Sequence, residues 1–312
     1  MKLQQLRFLV EVADSGLNVT VAAERLFTSQ PGVSKQVRQL EQELGVTVFE
    51  RNGKRFTGVT PAGVQVIQAA RRVLLETDNL RRIAEELRDE STGTLTVATT
   101  HTQARYVLPR VVAEFTRRFP KVKLSIREGD PHRVAETVLR GEADIGVATE
   151  ALAQAAGIVT LPAYSWHHRV IAPLEHDILK APLLLKALAD YPLITYDPAF
   201  SGRSRIDDAF KRAGLTPNIV LTAVDSDVIK TYVSLGLGVG IIAEQAYDPL
   251  RDTALGSLDA RSLFGANVTR VGLRRGIISR KFALAFLEIL SPQLSASAVT
   301  AAIREVGESY DI

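Results

Sequence analysis

Apolar residues near the start of the chain recur every three or four positions, which is the spacing of helices that bury one face. Three such segments follow one another, and the last two lie within residues 18–44. Asn18 is placed to cap the second helix and Ser29 the third. Pro31 fits the first turn of the third helix, because its missing N–H would be unpaired there anyway. The pattern predicts three helices, of which the second and third form a helix-turn-helix.

The third helix carries two different faces. Its apolar face is formed by Val33, Val37, Leu40 and Leu44, at spacings of three and four residues. The opposite face carries hydroxyl, amide and cationic side chains, which are the types that hydrogen-bond base edges and phosphates. We therefore predict that this helix reads DNA. The predicted contact residues are Ser29, Gln30, Pro31, Ser34, Lys35 and Arg38.

The next segment, residues 46–60, has strand-like character and contains Asn52-Gly53, a strong hairpin signal. Basic residues surround that turn, including Arg51 and Lys54. A basic hairpin alone would more often be a solvated turn. Its position directly after a helix-turn-helix is instead typical of the wing of a winged helix, whose cations touch DNA phosphates. We predict that Arg51 and Lys54 make such contacts.

A long helix begins at Thr60-Pro61 and runs to about Leu87. Its apolar residues keep a period of seven, which indicates a seam between two helices. The seam residues are Val66, Val73, Leu80 and Leu87, with Ala70, Thr77 and Ala84 between them. Packing within one subunit is the alternative, but a homodimer would place two reading helices on adjacent turns of DNA. The helix-breaking residues 89–93 then form a linker.

From Thr94 onward, strands alternate with helices, which predicts mainly parallel sheets covered by helices. Two such clusters predict two lobes, with crossovers near 162–166 and 265–269. The fold class is thus an N-terminal all-α winged helix-turn-helix plus a long linker helix, followed by a C-terminal α/β two-lobed effector domain. We expect partial disorder over 295–312. The predicted domains are 1–60, 61–92 and 93–312, with lobe I at 93–163 and 267–295 and lobe II at 164–266.

Polar side chains follow two of the predicted strands in the first cluster. Thr100, Thr102 and Gln103 come after one strand and open a helix, whose N-terminus favours anions. Thr149 ends another strand, and strand ends at one edge of an α/β sheet are where ligands bind. These residues could instead only cap the helix and strand. Because four polar side chains gather at two strand ends, we predict a site for a small anion or carboxylate.

Composition narrows the function classes. The chain has 312 residues, 46% of them hydrophobic, and a net charge of only +3, which is compatible with DNA binding without requiring it. It contains no cysteine and no apolar run long enough to cross a bilayer, and its start does not resemble a signal peptide. We therefore expect a cytoplasmic protein.

The sequence offers little support for an enzyme, a cofactor or a metal. His167-His168 could suggest a metal, but no third ligand recurs at metal-binding spacing. The glycines at 236–240 lie between a helix and a strand, the reverse of the phosphate-binding order, and indicate a tight turn. Asp225 and Asp227 are interpreted as helix caps rather than as a catalytic pair.

The segments TSQPGVSKQVRQLE and VFERNGKRFTGVTPAG resemble the LysR-type transcriptional regulators. Within that family, ATTHTQARYVLP at 98–109 and DVIKTYVSLGLGVGIIA at 227–243 are most similar to the CysB type, which regulates sulfur assimilation and cysteine synthesis. The resemblance covers nearly the whole chain. It implies an effector domain like the periplasmic solute-binding proteins, promoter DNA as a partner and a homotetramer. We also expect contact with RNA polymerase.

The resemblance also implies an effector such as N-acetylserine, O-acetylserine or a sulfate-like anion. The implied effector-binding residues are Thr100, Thr102, Gln103, Thr149, Trp166 and Ser201. The family has a threonine where this chain has Ser201, and the segments YSWHHR and DPAF also depart from the family pattern. A regulator of a related sulfonate or sulfate-ester pathway with a different inducer therefore stays open. A solute-binding module is the alternative from another class, although the first ninety residues speak against it.

Overall fold

The computed structural model describes residues 1–53, 55–88, 92–149, 151–198, 200 and 202–305. The chain divides into two compact units, Met1–Leu87 and Arg88–Ile312. Two predicted site residues, Lys54 and Ser201, lie outside the described residues, so their roles stay predictions. No helix among the described residues is both long and apolar enough to cross a membrane.

The first unit is a three-helix bundle followed by a hairpin and a long helix. Its elements are α1 (Leu3–Asp14), α2 (Val19–Arg25), α3 (Gln30–Leu44), β1 (Phe49–Asn52), β2 (Arg55–Val59) and α4 (Pro61–Arg88). The Asn18 side chain accepts hydrogen bonds from the N–H groups of Thr20 at 3.0 Å and Val21 at 3.2 Å. The Ser29 hydroxyl accepts one from Gly32 N–H at 3.3 Å. Both predicted caps of the helix-turn-helix are confirmed.

The core of the first unit lies between α1, α2, α3 and the hairpin. Val33, Val37 and Leu40 are completely buried in it, as their spacing predicts. The prediction for Leu44 is wrong, since this side chain is 38% exposed. Leu44 is the last residue of α3, and Gly45 turns the chain away there in a left-handed conformation with φ of 66°.

Helix α4 divides into a packed part and an exposed part. Its first turn lies directly on the chain before β1, because a Cβ on Gly63 would stand 2.2 Å from the Val48 carbonyl oxygen. Ile67 and Ala70 are buried in the core of the first unit. Further along, Val73 and Leu80 are exposed. Packing within one chain therefore accounts for only the first part of the heptad pattern.

The first lobe of the second unit contains a five-stranded sheet of order β4-β3-β5-β12-β6. Its strands are β3 (Gly93–Thr99), β4 (Val122–Glu128), β5 (Ile145–Ala148), β6 (Ile158–Trp166) and, late in the chain, β12 (Asn267–Arg274). Strand β3 is parallel to β4 and β5, whereas β12 is antiparallel to β5 and β6. The helices of this lobe are α5 (Leu108–Arg118), α6 (Pro131–Leu139), α7 (Ala151–Gln154), α12 (Lys281–Leu290) and α13 (Ala296–Glu305).

The second lobe repeats this plan with the sheet order β11-β7-β10-β8-β9. Its strands are β7 (His168–Pro173), β8 (Pro192–Tyr196), β9 (Asn218–Ala223), β10 (Val239–Ala243) and β11 (Leu255–Asp259). Its helices are α8 (Leu185–Ala189), α9 (Arg203–Arg212), α10 (Ser226–Ser234) and α11 (Arg261–Phe264), with short 3₁₀ turns at Asp177–Lys180 and Glu244–Ala246. Two α/β lobes are therefore present, as the strand and helix alternation predicts.

The chain crosses between the lobes at residue 167 and again at 265–266, between α11 and β12. Residues 164–166 were expected in the second lobe, but they extend β6 in the first sheet, where Trp166 pairs with Asn267. This correction has a simple cause: β12 continues opposite them, so their backbone groups have ladder partners there.

The chain end also differs from expectation. Residues 296–305 form α13 rather than a disordered tail, and Val299 is completely buried in the core of the first lobe. Val299 and Ile303 are four residues apart, so one face of this short helix packs on that core. The remaining residues, 306–312, lie outside the described part of the chain.

Candidate nucleic-acid interface and effector-binding site

Most predicted DNA-contacting side chains of the first unit are exposed at or near the start of α3. Ser29, Gln30, Pro31, Lys35 and Arg38 are exposed, and Ser34 is half-buried. The Gln30 amide donates a hydrogen bond to the Thr20 hydroxyl, which fixes it against α2. The structure therefore places a cationic and polar surface at this end of the first unit, while the DNA contacts themselves stay predictions.

The wing is held against α3 by a buried carboxylate that the sequence analysis missed. Glu41 is only 7% exposed, and one of its oxygens accepts hydrogen bonds from Val48 N–H at 2.8 Å and Phe49 N–H at 3.1 Å. Its other oxygen pairs with Arg51, whose guanidinium lies 5.1 Å from the centre of the Phe56 ring. Arg51, predicted to contact phosphate, thus also joins the hairpin to the helix.

A signal for this role was available in the sequence. Glu41 follows Val33 and Val37 at steps of four residues, so it had to lie on the buried face of α3. A carboxylate on such a face needs hydrogen-bond donors, and the hairpin after the helix supplies them.

In the second unit, the structure brings the predicted polar residues together at the ends of β3 and β5. These strands are neighbours, with Thr99 opposite Val147. The Thr99 hydroxyl donates to the Val147 carbonyl at 2.9 Å, so it stabilises the pairing of β3 with β5. Thr100 and Thr149 are buried beside it, and the Thr149 hydroxyl has no hydrogen-bond partner among the described residues.

The chain after β3 enters a helix at residue 101, but the turn Gln103–Val107 is π-helical before α5 begins. Such turns are frequent at functional sites because they redirect side chains. Here Gln103 is buried and donates from its amide to the Thr269 hydroxyl at 3.4 Å, while its carbonyl oxygen accepts from the Tyr164 hydroxyl. Thr102 is half-buried at the start of this turn.

The space between the two lobes is called the cleft here. Strands β6 and β12, which lead to the two crossovers, lie side by side at its base. Trp166 is buried and donates from its indole to the Thr269 hydroxyl at 3.1 Å, so it belongs to this polar cluster. His168 is completely buried, and its ring stands edge-on to Trp166 at 5.1 Å between centroids. Asn267 lies beside His168, with Nδ2 at 3.4 Å from Nδ1. The sequence analysis missed the roles of these residues. Thr269 and Asn267 lie on β12, far along the chain, and His168 was considered only as part of a possible metal pair.

The lobes also touch directly near the cleft. The Tyr106 hydroxyl, from the first lobe, donates to Asp227 of the second lobe at 2.8 Å, and Arg105 lies 3.3 Å from the same carboxylate. Burial and this hydrogen bond raise the pKa of Tyr106 well above its usual range. Asp225 caps α10 by accepting from Val228 N–H at 2.8 Å, as predicted. The prediction that Asp227 is a cap is wrong, because its carboxylate bridges the lobes instead.

Two family models together cover most of the chain. One described as "Bacterial regulatory helix-turn-helix protein, lysR family" matches residues 3–64, and one described as "LysR substrate binding domain" matches residues 88–291. The chain belongs to the LysR family of bacterial transcriptional regulators. Members of this family bind promoter DNA and small-molecule effectors and form oligomers, and they are regulators rather than enzymes.

This LysR-type regulator is similar over nearly its full length to characterised relatives. The HTH-type transcriptional regulator SsuR of Burkholderia cenocepacia is 51% identical over 306 residues, which is 98% of this chain and 99% of the relative. The HTH-type transcriptional regulator CysB of the same organism is 47% identical over 313 residues, 100% of each chain. A crystal structure of the cofactor-binding domain of the Cbl transcriptional regulator is 47% identical, covers 70% of this chain and 95% of that chain, and superposes with a TM-score of 0.67. The resemblance to CysB-type regulators is confirmed.

One group in the regulator's cleft has the spacing of metal ligands. His101, Asp225 and Asp227 place one ligand atom each within 4.8 Å of one another. Each already has another role: His101 Nδ1 hydrogen-bonds Glu128 at 2.9 Å, Asp225 caps α10, and Asp227 pairs with cations. These contacts account for the three side chains.

A cavity of about 210 Å³ lies beside the polar cluster, between the π-helical turn and the end of β6. Its walls are Tyr106, Val107, Arg110, Tyr164, Ser165, Trp166, Glu244 and Gln245. Trp166 and Tyr164 are shared between this cavity and the hydrogen-bond cluster around Thr269. Trp166 therefore lies between the cavity and the predicted effector site.

Proposed function

We propose that this LysR-type regulator controls genes of sulfur assimilation and cysteine biosynthesis in the cytoplasm, and that a small anion bound between its lobes sets its activity. The observation that supports such an effector is the buried hydroxyl of Thr149, which lies beside Thr100 and Gln103 and has no hydrogen-bond partner within the described ranges. The similarity to SsuR and CysB, at 51% and 47% identity over nearly the full length, supports the class of genes that we propose it regulates.

The proposed effector is N-acetylserine, O-acetylserine or a sulfate-like anion. Its binding residues would be Thr100, Thr102, Gln103, Thr149, Trp166 and Ser201. The hydroxyl and amide donors among them are neutral, and neutral donors directed at an acceptor-only group are the usual way to hold a small oxyanion without a counter-cation. No cofactor is required for this role.

A second candidate is a regulator of a related sulfonate or sulfate-ester pathway that responds to a different inducer. It is favoured by Ser201 and by the segments YSWHHR and DPAF, which depart from the pattern of CysB-type regulators. It is also favoured by His168 and Asn267, which add polar groups to the base of the cleft.

We propose that effector binding affects DNA binding through the way the subunits assemble. Val73, Leu80 and Ile83 of α4 are exposed in the single chain, and a second copy of α4 would cover them as a homodimer seam. The dimers would pair into a homotetramer that contacts RNA polymerase at promoters. An effector that binds one arrangement of the lobes more tightly shifts the population toward it.

The test is a mobility-shift titration of the full-length protein on promoter DNA from sulfur-assimilation genes, with acetylserines, sulfate and thiosulfate added separately. We expect at least one of these anions to change the apparent affinity or the pattern of complexes. Sulfonates and sulfate esters form a second panel, and a response to that panel alone would favour the second candidate. Binding that is insensitive to every anion in both panels would contradict a small-anion effector.

A further inference from the structure

One large apolar side chain of the first unit has no place in its core. Phe27 is 97% exposed and lies in the turn between α2 and α3. The other three phenylalanines of this unit, Phe8, Phe49 and Phe56, are all buried. Packing within the unit therefore does not account for a phenyl ring at position 27.

The backbone at this position makes the ring more unusual. Phe27 has φ of 50°, which lies in the left-handed region. Its N–H donates to the Glu24 carbonyl at 3.1 Å, and Thr28 N–H donates to the Ala23 carbonyl at 2.9 Å. These two bonds form the Schellman motif that ends α2, and its left-handed position is usually glycine because a Cβ is strained there. A phenylalanine at this position destabilises the turn, and burial of the ring does not offset that strain.

The end of α1 provides an internal comparison. Leu17 is the only other non-glycine residue with a positive φ, at 66°, in the part of the chain that the structure describes. Its N–H donates to the Val12 carbonyl at 3.0 Å, and its side chain packs against the core of the first unit. Burial of apolar surface therefore offsets the strain at Leu17, whereas the exposed ring of Phe27 has no such burial. Strained backbone of this kind clusters at functional sites.

Phe27 lies next to the surface that is predicted to contact DNA. Consecutive Cα atoms are about 3.8 Å apart, so the Cα atoms of Phe27 and Ser29 lie within about 7.6 Å of each other. Ser29 caps α3, and Gln30, Lys35 and Arg38 are exposed on that helix. An exposed aromatic ring therefore borders an exposed polar and cationic surface.

DNA presents the two kinds of surface that this region can match. Its phosphates suit the cations Lys35 and Arg38. Between the phosphates lie the apolar faces of deoxyribose, and the major groove also exposes the methyl groups of thymine, with which phenylalanine makes apolar contact. A duplex that covers the start of α3 is therefore a partner that can cover the ring as well.

We propose that Phe27 is a DNA-contacting residue, whose ring packs on the apolar surface of the duplex, a thymine methyl or a deoxyribose face, beside the start of α3. The ring adds an apolar contact to the polar and cationic contacts predicted for that helix. The strained turn holds the ring outward, so the first unit gives up stability for this contact. The inference goes beyond the proposed effector and depends neither on that effector nor on which genes are regulated.

The test measures DNA binding by full-length Phe27→Gly, with a duplex that the wild type selects from a random-sequence pool. We expect the affinity to fall about tenfold, because the apolar contact of the ring is lost. The dependence of affinity on salt should not change, because an apolar contact releases no counterion. The variant should unfold at the same temperature as the wild type or higher, because glycine relieves the left-handed strain. Phe27→Tyr keeps the ring and should bind within about threefold of the wild type.

Leu17→Gly is the matched control, because it replaces the other strained residue, whose side chain packs on the core. It should unfold at a temperature roughly 5 °C lower or more, because it loses that packing. Below that temperature it should bind the same duplex within about threefold of the wild type. An equal loss of affinity in both glycine variants would overturn the role of the ring.

Further outcomes decide between DNA and a second copy of the chain as the partner of the ring. Wild-type affinity in Phe27→Gly would overturn the proposal. A change of oligomeric state in that variant, measured by analytical ultracentrifugation, would also overturn it, because the ring would then pack on a second copy. A loss of affinity without such a change supports the DNA contact.

Replacing thymines of the duplex by uracil, one at a time, then locates the contact. If the ring meets a thymine methyl, uracil at that position weakens binding by the wild type but not by Phe27→Gly. If the ring meets deoxyribose, both proteins respond equally to every replacement.

Discussion

The two units of this regulator differ in whether their buried polar side chains have hydrogen-bond partners. In Met1–Leu87, the buried carboxylate of Glu41 has three partners, and the residues predicted to touch DNA lie mostly on the outside. In the second unit, Thr149 and His168 are buried, and each has an atom with no hydrogen-bond partner among the described residues. A surface that meets a large rigid partner can be complete in advance. A cleft that responds to a small molecule keeps part of its hydrogen bonding for that molecule.

Glu41→Ala should have the largest effect, because it breaks a fully partnered network. It leaves Val48 N–H and Phe49 N–H buried without acceptors and Arg51 without its partner, and we expect a loss of about 3–5 kcal/mol in the free energy of unfolding. Thermal unfolding and promoter-DNA binding measure the result.

Gln42→Ala is the matched control, since Gln42 is the next residue along α3 and is exposed. It should leave both stability and DNA binding within the error of the wild type. A Glu41→Ala protein as stable as this control would contradict the structural role of the carboxylate.

A pH dependence should follow from the neutral His168. Burial lowers its pKa to about 3 in the folded protein, below the ordinary histidine value, so the unfolded chain binds the proton first. Stability is therefore complete above pH of about 6.5 and falls as pH decreases, at up to about 1.4 kcal/mol per pH unit.

Urea unfolding at pH values from 7 to 5, where most carboxylates stay ionised, measures this slope. His168→Gln removes the titrating group and should flatten the slope relative to the wild type. Equal slopes in the two proteins would show that His168 is not the group responsible.

Replacing two buried threonines by valine compares an unpaired hydroxyl with a paired one. Thr149→Val removes a hydroxyl that has no partner in the part of the chain that the structure describes, so we expect stability to be unchanged or higher and effector affinity to fall about tenfold. Thr99→Val removes the donor to the Val147 carbonyl and should cost about 1 kcal/mol while changing affinity little. Calorimetry and titration give both quantities, and the reverse pattern would place the effector contact at Thr99.

Lys35→Ala should have the smallest effect on the protein, because the side chain is exposed and stability should not change. If Lys35 contacts a phosphate, the variant binds all DNA sequences more weakly, and the dependence of affinity on salt becomes shallower by about one counterion. Binding isotherms at several salt concentrations measure this slope. An unchanged slope together with unchanged sequence preference would remove Lys35 from the interface.

Local chemistry made much of the fold predictable. The caps at Asn18, Ser29 and Asp225 depend on neighbours within three residues, and all three are formed. The glycine-rich turn before β10 also depends on short-range chemistry, since Gly236 has φ of 77°, a left-handed conformation that favours glycine. The alternation of strand-like and helix-like segments similarly predicted the two lobes.

Apart from Glu41, whose spacing on α3 was a usable signal, the parts that sequence reasoning missed depend on distant partners. Thr269 joins Gln103 and Trp166 only because β12 returns to the first sheet after the whole second lobe. His168 looked like half of a metal pair, yet its contacts come from Asn267, Phe264 and Gly202. Asp227 was interpreted as a cap because it lies at the start of α10. Its actual partner, Tyr106, lies on the other lobe and is distant in the sequence. Such pairings have no signature in local spacing.

The paired crossover strands have a mechanical consequence. Strands β6 and β12 hydrogen-bond to each other up to Trp166 and Asn267, immediately before residue 167 and after residues 265–266 where the chain changes lobe. Two connections that lie side by side act as a single pivot, which permits rotation about one axis and resists twisting about the others. If the lobes open and close about this pivot, the motion has essentially one degree of freedom, so a few hydrogen bonds from a bound effector are enough to specify the separation of the two lobes.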